Sequence, residues 1–204
     1  MSKIKNIVFD LGGVLIGWDP KEVFRTIFKT EEEVDWFLEN ICTMDWNEQQ
    51  DAGRPIASAN EFLISKFPDH KENILAYYAR WEEMLTGAIE GTVSILEKLI
   101  KDKNYKVVAL TNWSAETFPI ALERYEFLHW FEGIVVSGTE KCKKPENKIY
   151  NILLERYNLI PEESVFIDDN KRNILAAEKL GINGIHFESP EQLSEALASL
   201  GIAI

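Results

Sequence analysis

The sequence is poor in positive charge. Its 204 residues include 22 lysines and arginines against 34 aspartates and glutamates, a formal net charge of −12 at pH 7. Nucleic acids and anionic membrane surfaces bind basic patches, so neither is expected to be the main partner. A small anionic substrate is still compatible with this composition, because one lysine or one bound metal ion can reverse the sign of the field inside a pocket.

Cysteine and long apolar runs are also scarce. The two cysteines, Cys42 and Cys142, are far apart and show no metal-binding spacing, which is typical of reduced thiols in a cytoplasmic protein. No apolar stretch approaches the ~20 residues that a membrane-spanning helix needs. Asp10 interrupts the apolar N-terminal stretch, and no small-residue cleavage site follows it. We therefore expect a soluble cytoplasmic protein, either a monomer or a homodimer.

The hydrophobic pattern changes twice along the chain. A short β-branched run, residues 4–9, precedes Asp10 and two glycines and is typical of a buried strand. Between about Pro20 and Thr86, apolar residues recur at the three- and four-residue spacings of helices. After Gly87, short apolar strands alternate with helices, which is typical of βα units in a parallel sheet.

This order predicts an α/β fold, a Rossmann-like parallel sheet core with an inserted α-helical cap domain. The catalytic core would comprise residues 1–15 and 87–204, and the helical cap residues 16–86. Two consecutive independent domains are the alternative, but they would leave one lone β-segment at the N-terminus. The first strand is therefore expected to join the sheet of the later ones.

Polar side chains follow the predicted strands of this sheet. The carboxyl ends of parallel strands meet at one edge, where open α/β sheets bind their ligands, so these side chains should face one crevice. They are Asp10 after "NIVF", Thr111 and Asn112 after "VVAL", Asp168 and Asp169 after "SVFI", and Lys144 in the loop "GTEKCKKPE".

The predicted crevice combines carboxylates, a hydroxyl and a lysine. Carboxylates from two different strands would repel each other in one pocket, which indicates a hard cation between them. Mg²⁺ prefers oxygen ligands and retains several waters, so two or three protein oxygens are enough. Gly12 and Gly13 would let the backbone approach that ion, so that a main-chain carbonyl could serve as a ligand. The lysine and the hydroxyl suit a phosphoryl group, toward which an aspartate can act as nucleophile.

Four stretches of the chain resemble the four motifs of the haloacid dehalogenase superfamily, in the same order and spacing. They are "FDLGGVL", "LTNWS", "KKPENKIY" and "VFIDDNKRNILAAEKLG". The insert after the first motif is similar to the C1 helical cap of subfamily I. The resemblance spans essentially the whole chain and implies a Mg²⁺-dependent phosphatase that forms an aspartyl-phosphate from a small phosphorylated metabolite.

The resemblance also implies roles for single residues. Asp10 would be the nucleophile and a metal ligand, and Lys144 would neutralise Asp10 and the phosphate. The Gly12 carbonyl and the Asp169 side chain would bind the metal, and Asp168 would be a further ligand or lie beside the ligands. Thr111 and the Asn112 backbone would bind the phosphoryl group.

Three further positions carry weaker expectations. The stretch "MDWNEQQDAGR" resembles a part that other C1 caps place over the active site, so Trp46 and Asn47 are candidate substrate contacts. Packing in the core is the favoured interpretation of Trp46. His186, in a predicted strand, is expected to be a packed core residue.

Gly12 departs from the superfamily pattern. Most phosphatases of the superfamily have a second aspartate there, which acts as general acid and base, a function typically worth about 10²–10⁴-fold in rate. The second aspartate is also missing in the branch of the superfamily that resembles α-glucose-1-phosphate phosphatases. A substrate with a good leaving group, such as an anomeric phosphate, would tolerate the gap, so a sugar phosphate is the expected substrate class.

Two other functions are compatible with the motifs. A metal-independent 2-haloacid dehalogenase is disfavoured, because two adjacent carboxylates beside a carboxylate nucleophile would be costly without a cation. A catalytically weak family member that acts as a binding protein has Gly12 in its favour. The intact set of other catalytic positions argues against it.

Overall fold

The chain folds around a parallel β-sheet. The computed structural model describes residues 4–202. The strands in this range are β1 (Asn6–Phe9), β2 (Ile16–Trp18), β3 (Leu85–Ala88), β4 (Lys106–Thr111), β5 (Ile134–Val136), β6 (Ser164–Asp168) and β7 (Asn183–His186). Five of them form one sheet in the order β5-β4-β1-β6-β7, and each neighbouring pair is parallel. The predicted Rossmann-like α/β core is confirmed, and the first strand joins it at the centre.

Helices cover both faces of this sheet. The helices of residues 4–202 are α1 (Lys21–Phe24), α2 (Glu31–Asn40), α3 (Met44–Asp51), α4 (Ile56–Lys66), α5 (Lys71–Ala79), α6 (Glu90–Asp102), α7 (Phe118–Arg124), α8 (Ser137–Glu140), α9 (Asn147–Tyr157), α10 (Lys171–Glu178) and α11 (Pro190–Ser199), of which α1–α5 lie between β2 and β3. Alternate residues of β1 point to opposite faces. Ile7 and Phe9 belong to the hydrophobic cluster that includes residues of α6 and α11, whereas Val8 belongs to the one that includes residues of α9 and α10. Two buried faces explain why the strands are apolar throughout.

Strand register determines what stands at the carboxyl edge of the sheet. Phe9 lies opposite Ala109 on one side and Ile167 on the other. The Asp10 backbone N–H donates to the Ile167 carbonyl at 2.8 Å. Asp10 therefore leaves the sheet beside Asp168, as the strand-end argument predicts.

The helical segment is connected to the sheet region through a small ribbon. β2 and β3 pair antiparallel, with Ile16 opposite Ala88 and Gly17 opposite Gly87, so the chain enters and leaves α1–α5 side by side. The sequence pattern did not predict these two strands, which are three and four residues long. The division into a core of residues 1–15 and 87–204 and a cap of residues 16–86 stays a prediction, and its outermost residues lie outside the described range.

α3 is a further helix that hydrophobic spacing did not predict. Its sequence, MDWNEQQD, is mostly polar, and its N-terminus is capped by the Thr43 hydroxyl, which accepts from the Trp46 N–H at 3.1 Å. Among residues 4–202, no helix is both long enough and apolar enough to span a membrane.

Candidate active site

A cavity of about 260 Å³ lies between the carboxyl edge of the sheet and α3. The sheet side and the helical side contribute different groups to it. From the sheet side come Asp10, Gly12, Asn112, Lys144 and Asp169, and from α3 come Asn47, Glu48 and Asp51. The cavity is also lined by three tryptophans, Trp18, Trp81 and Trp113.

Three carboxylates cluster on the sheet side. Asp10, Asp168 and Asp169 each offer an oxygen, and these oxygens all lie within 4.8 Å of one another. Burial raises the pKa of Asp10 well above its usual range, and the charges of Asp168 and Asp169 raise it further, although Lys144 opposes them. Burial, followed by the charge of Asp168, likewise raises the pKa of Asp169. Such a group of acids favours a cation among them.

Lys144 connects two of these acids. Its fully buried ammonium lies 2.9 Å from Asp10 Oδ2 and 2.7 Å from Asp168 Oδ2, and it also donates to the Leu110 carbonyl at 3.0 Å. Burial alone would lower the pKa of Lys144, but Asp10 and Asp168 outweigh that effect and raise it. The lysine is therefore a charged group in the floor of the cavity.

Asn112 fixes the backbone of this lysine. Its side-chain carbonyl accepts from the Lys144 N–H at 2.8 Å, and its amide donates to the Lys144 carbonyl at 3.0 Å. The loop between α8 and α9 is thus tied to the end of β4, which explains why a residue distant in sequence reaches Asp10.

Asp168 is held from several sides. Oδ1 accepts from the Asn170 N–H at 2.7 Å, and both oxygens lie 3.1 Å from the Asn173 amide nitrogen, in addition to the contact of Oδ2 with Lys144. These contacts favour a supporting role, in which Asp168 orients Lys144, over direct ligation. They also give a role to Asn173, whose amide holds the Asp168 carboxylate in place.

Thr111 ends β4 directly before Asn112. Its hydroxyl is buried and has no hydrogen-bond partner among the described residues. A buried hydroxyl without a partner is uncommon, and Thr111 directly precedes Asn112, which lines the cavity. An oxygen of a bound phosphoryl group would satisfy the hydroxyl.

The chemistry of the donor set also fits a metal ion. Lys144 neutralises one of the three carboxylates, so a divalent cation would balance the rest. All of the available ligands are oxygens, which suits a hard ion such as Mg²⁺. The side chains of Asp10 and Asp169 and the carbonyl of Gly12 are the groups that could hold it, with Asp168 beside them.

Comparison with known proteins identifies the family. The sequence profile of the haloacid dehalogenase-like hydrolases matches residues 7–187. The chain belongs to this family. It is 25% identical over 187 residues to a sesquiterpene phosphatase of Aspergillus oryzae, covering 91% of this chain and 90% of the relative. It is also 25% identical over 182 residues to a phosphorylated carbohydrates phosphatase of Thermotoga maritima, covering 88% of this chain and 83% of the relative.

A solved structure shares the fold of this haloacid dehalogenase-like hydrolase. A HAD family enzyme of Bacteroides thetaiotaomicron, crystallised with magnesium and inorganic phosphate, aligns with a TM-score of 0.68 and 26% identity. The alignment covers 91% of this chain and 95% of the other. The predicted superfamily is therefore confirmed, while its finer subdivision stays a prediction.

The two glycines of the first motif differ sharply in this hydrolase. Gly13 has a φ of +73°, and a Cβ added there would collide with the Asp169 carboxylate. A Cβ at Gly12 would meet nothing within 4 Å. Close approach to the acid cluster therefore requires glycine only at position 13, whereas position 12 has room for a side chain.

We expect Gly13→Ala to impair the hydrolase strongly. A side chain in the left-handed region costs about 1–2 kcal/mol, and the collision would displace Asp169 from the cation site. Thermal unfolding should shift to lower temperature, and calorimetric titration should show weakened Mg²⁺ binding. Gly12→Ala serves as the stability control, because its φ is ordinary and its surroundings are open. Equal unfolding temperatures for the two variants would contradict this account.

Trp46 lies outside the cavity, so the structure does not support its predicted contact with substrate. Its ring packs edge-on against Tyr77, with centroids 5.2 Å apart, and its indole nitrogen lies 3.4 Å from the Ala59 carbonyl. The physical reason is helical phase, because consecutive residues are about 100° apart around the axis. Trp46 points into the helical segment and Asn47 points into the cavity.

Asn47 lines the cavity, and its contact with substrate stays a prediction. Its carbonyl oxygen accepts from the Tyr78 hydroxyl at 2.9 Å, and its amide lies 3.3 Å from Asp51 Oδ2. Glu48 and Asp51 line the same cavity but were not among the predicted site residues. The only sequence signal is the spacing of Asp51 from Asn47, because residues four apart share one face of α3.

Two other contacts complete the surroundings of the site. Glu48 accepts from both Lys143 and Arg172, the latter at 3.1 Å, and thereby joins α3 to the loop after α8 and to the first turn of α10. His186 was expected to be buried, but its side chain is 40% exposed and Nε2 lies 2.9 Å from the Asp169 carbonyl. The prediction of a core histidine is therefore wrong, because β7 is an edge strand with one open side.

Proposed function

We propose that this chain is a Mg²⁺-dependent phosphatase that hydrolyses a small phosphorylated metabolite, with sugar phosphates as the first substrate class to test. The observation that carries the proposal is the contact of buried Lys144 with Asp10 inside a cluster of three carboxylates. That arrangement offers a nucleophile, a cation site and a fixed positive charge in one cavity. The unpartnered Thr111 hydroxyl, next to the cavity-lining Asn112, would supply a donor for a phosphoryl oxygen.

The relatives support this substrate chemistry. Two similar proteins are named as phosphatases, one of them for phosphorylated carbohydrates. The aligned crystal structure contains magnesium and phosphate. Indole rings in the cavity wall would pack against the C–H face of a sugar, and the polar groups of Asn47 and Asp51 would meet its hydroxyls.

The residues suggest a two-step reaction. Asp10 attacks phosphorus, the bond to the leaving oxygen breaks, and an aspartyl-phosphate forms; water then attacks phosphorus and frees Asp10. Lys144 and Thr111 would hold the phosphoryl oxygens throughout. A bound Mg²⁺, held by Asp10, Asp169 and the Gly12 carbonyl, would supply positive charge against the charge that develops on those oxygens.

We also propose a domain arrangement, a subgroup, a location and an oligomeric state for this chain. Residues 16–86 would act as a C1-type cap over a core of residues 1–15 and 87–204. Within the superfamily, the chain would belong to subfamily I and be similar to the α-glucose-1-phosphate phosphatase branch. We propose a cytoplasmic location, consistent with two buried free thiols, Cys42 and Cys142. The protein would act as a monomer or a homodimer.

Phosphate release from a panel of phosphorylated metabolites tests the function. With Mg²⁺ present we expect turnover, and with a chelator we expect a loss of at least about 10²-fold, because the acid cluster would then repel the substrate dianion. Added Mg²⁺ should restore the rate. Chelator-insensitive halide release from a 2-haloacid would overturn the proposal in favour of a dehalogenase. Phosphate binding without turnover of any ester would favour a binding protein.

A further inference from the structure

Hydrolysis of a phosphate monoester produces an alkoxide that needs a proton. Without a donor, the reaction is limited to leaving groups that are already acidic. Three of the four carboxyl groups that line the cavity are unsuited to this task. Asp10 and Asp169 belong to the acid cluster that would hold the cation. Glu48 is ion-paired with Lys143 and Arg172, which lower its pKa against the opposing effect of burial, so it stays unprotonated.

Asp51 is the fourth carboxyl group of the cavity. It ends α3, its side chain is buried, and it faces the sheet edge from the helical side. Oδ2 lies 3.3 Å from the Asn47 amide, and the Ser114 backbone, which follows β4, also hydrogen-bonds the carboxyl group. Asp51 is thus oriented from both sides of the cavity.

The surroundings of Asp51 suit a group that exchanges protons near neutral pH. Burial raises its pKa to about 7, and the charge of Glu48 acts in the same direction. Lys143, the Ser114 hydrogen bond and Lys144 oppose the shift. Asp51 lines the same cavity as Lys144 and Asp10, which contact each other. A carboxyl group of this kind is present in both protonation states at neutral pH, as an acid–base catalyst requires.

The backbone next to Asp51 holds the end of α3 close to the sheet edge. Gly53, two residues further on, has a φ of +96°, and a Cβ there would lie 3.0 Å from the Gly138 carbonyl and from the Lys141 side chain. Close contact of this turn with α8 and the residue that follows it limits how far Asp51 can move from the cavity.

We propose that Asp51 is the general acid and base of this hydrolase, supplied by α3 in place of the carboxylate that Gly12 lacks. The proposal rests on the phosphatase function proposed above. In the first step Asp10 bonds to phosphorus, the bond from phosphorus to the leaving oxygen breaks, and the Asp51 carboxyl protonates that oxygen to release an alcohol. In the second step the Asp51 carboxylate takes one proton from water, the resulting hydroxide bonds to phosphorus, and Asp10 and hydrogen phosphate are released.

Leaving-group dependence tests the role of Asp51. Phenyl phosphate and p-nitrophenyl phosphate are similar in shape, but phenol is a much poorer leaving group than p-nitrophenol. We expect Asp51→Asn to lower kcat/KM for phenyl phosphate by about 10²-fold or more, and for p-nitrophenyl phosphate by less than about 10-fold. kcat/KM is the relevant constant because it covers the steps up to the first irreversible one, which includes loss of the leaving group. Asp45→Asn, an exposed change on the same helix, is the matched control.

The outcomes separate this proposal from the proposed function. Wild-type protein that hydrolyses neither ester contradicts the phosphatase function itself. Wild-type activity on both esters, with an equal loss on both or no loss in Asp51→Asn, overturns the role of Asp51 alone. Equal losses would indicate that Asp51 only supports the fold.

Two further measurements keep the test decisive if Asp51→Asn folds poorly. In the wild type, kcat/KM for phenyl phosphate should fall as pH rises above about 7, because Asp51 then loses the proton that it donates. The absence of this alkaline limb would overturn the proposal. Gly12→Asp in the Asp51→Asn background should recover part of the rate, since position 12 has open space for a side chain.

Discussion

Asp10→Asn is expected to abolish phosphate release, with a loss on the order of 10⁴-fold or more in kcat. The amide cannot form the aspartyl-phosphate, and it removes one of the carboxylates that would hold the cation. Turnover of p-nitrophenyl phosphate with Mg²⁺ measures the loss. Acid-quenched wild-type protein should carry phosphate on Asp10, and the variant should carry none.

The fold of Asp10→Asn should survive. Burial disfavours the charged form of this carboxyl group in the folded state, so a neutral side chain of the same shape removes an electrostatic cost. Without metal, the unfolding temperature of the variant should be equal to that of the wild type or higher. Wild-type turnover by Asp10→Asn would rule out the mechanism, and an unfolded variant would rule out this account of the burial.

Lys144→Met is expected to damage both activity and stability. The ammonium is fully buried between Asp10 and Asp168, and its removal leaves their charges without their shared partner. Breaking a buried ion pair from one side typically costs about 3–5 kcal/mol. Phosphate release should also fall by at least about 10²-fold, because the phosphoryl oxygens lose a fixed positive charge.

Chemical denaturation and its pH dependence measure this effect. Loss of the lysine raises the pKa of Asp10 further, so the folded variant binds more protons than the unfolded chain over a wider range of pH. The destabilisation should therefore be smaller at pH 5 than at pH 8. Lys148→Met, an exposed change of the same type on α9, is the control and should be nearly neutral. Equal stability of the two variants would show that Lys144 is not the partner of the acid cluster.

Much of the sheet and its reactive edge could be predicted from the sequence. Apolar strands that alternate with helices are a strong local signal, and the parallel arrangement then brings the carboxyl ends of distant strands together. Asp10, Asp168 and Lys144 could be grouped for this reason, although they are far apart in the chain. This grouping depends on the parallel arrangement of the strands and not on how the side chains pack.

The helical side of the cavity was harder to predict. α3 has little hydrophobic periodicity, so its phase, which turns Trp46 inward and Asn47 and Asp51 toward the cavity, was not visible in the pattern. The exposure of His186 depends on the position of β7 at the sheet edge, which follows from strand order rather than from local sequence. The four-residue spacing from Asn47 is the only local signal of Asp51, and its raised pKa could not be predicted because it arises from burial in the folded protein.

The ribbon of β2 and β3 has an evolutionary consequence. Ile16 and Ala88 stand opposite each other, so the whole intervening segment can be exchanged or remodelled with little change to the sheet. Substrate choice could thus diversify while the nucleophile and its lysine were inherited unchanged. With the proton donor on α3, however, each exchange would also alter which leaving groups the enzyme can protonate. Selection would then act on substrate specificity and on the range of leaving groups together.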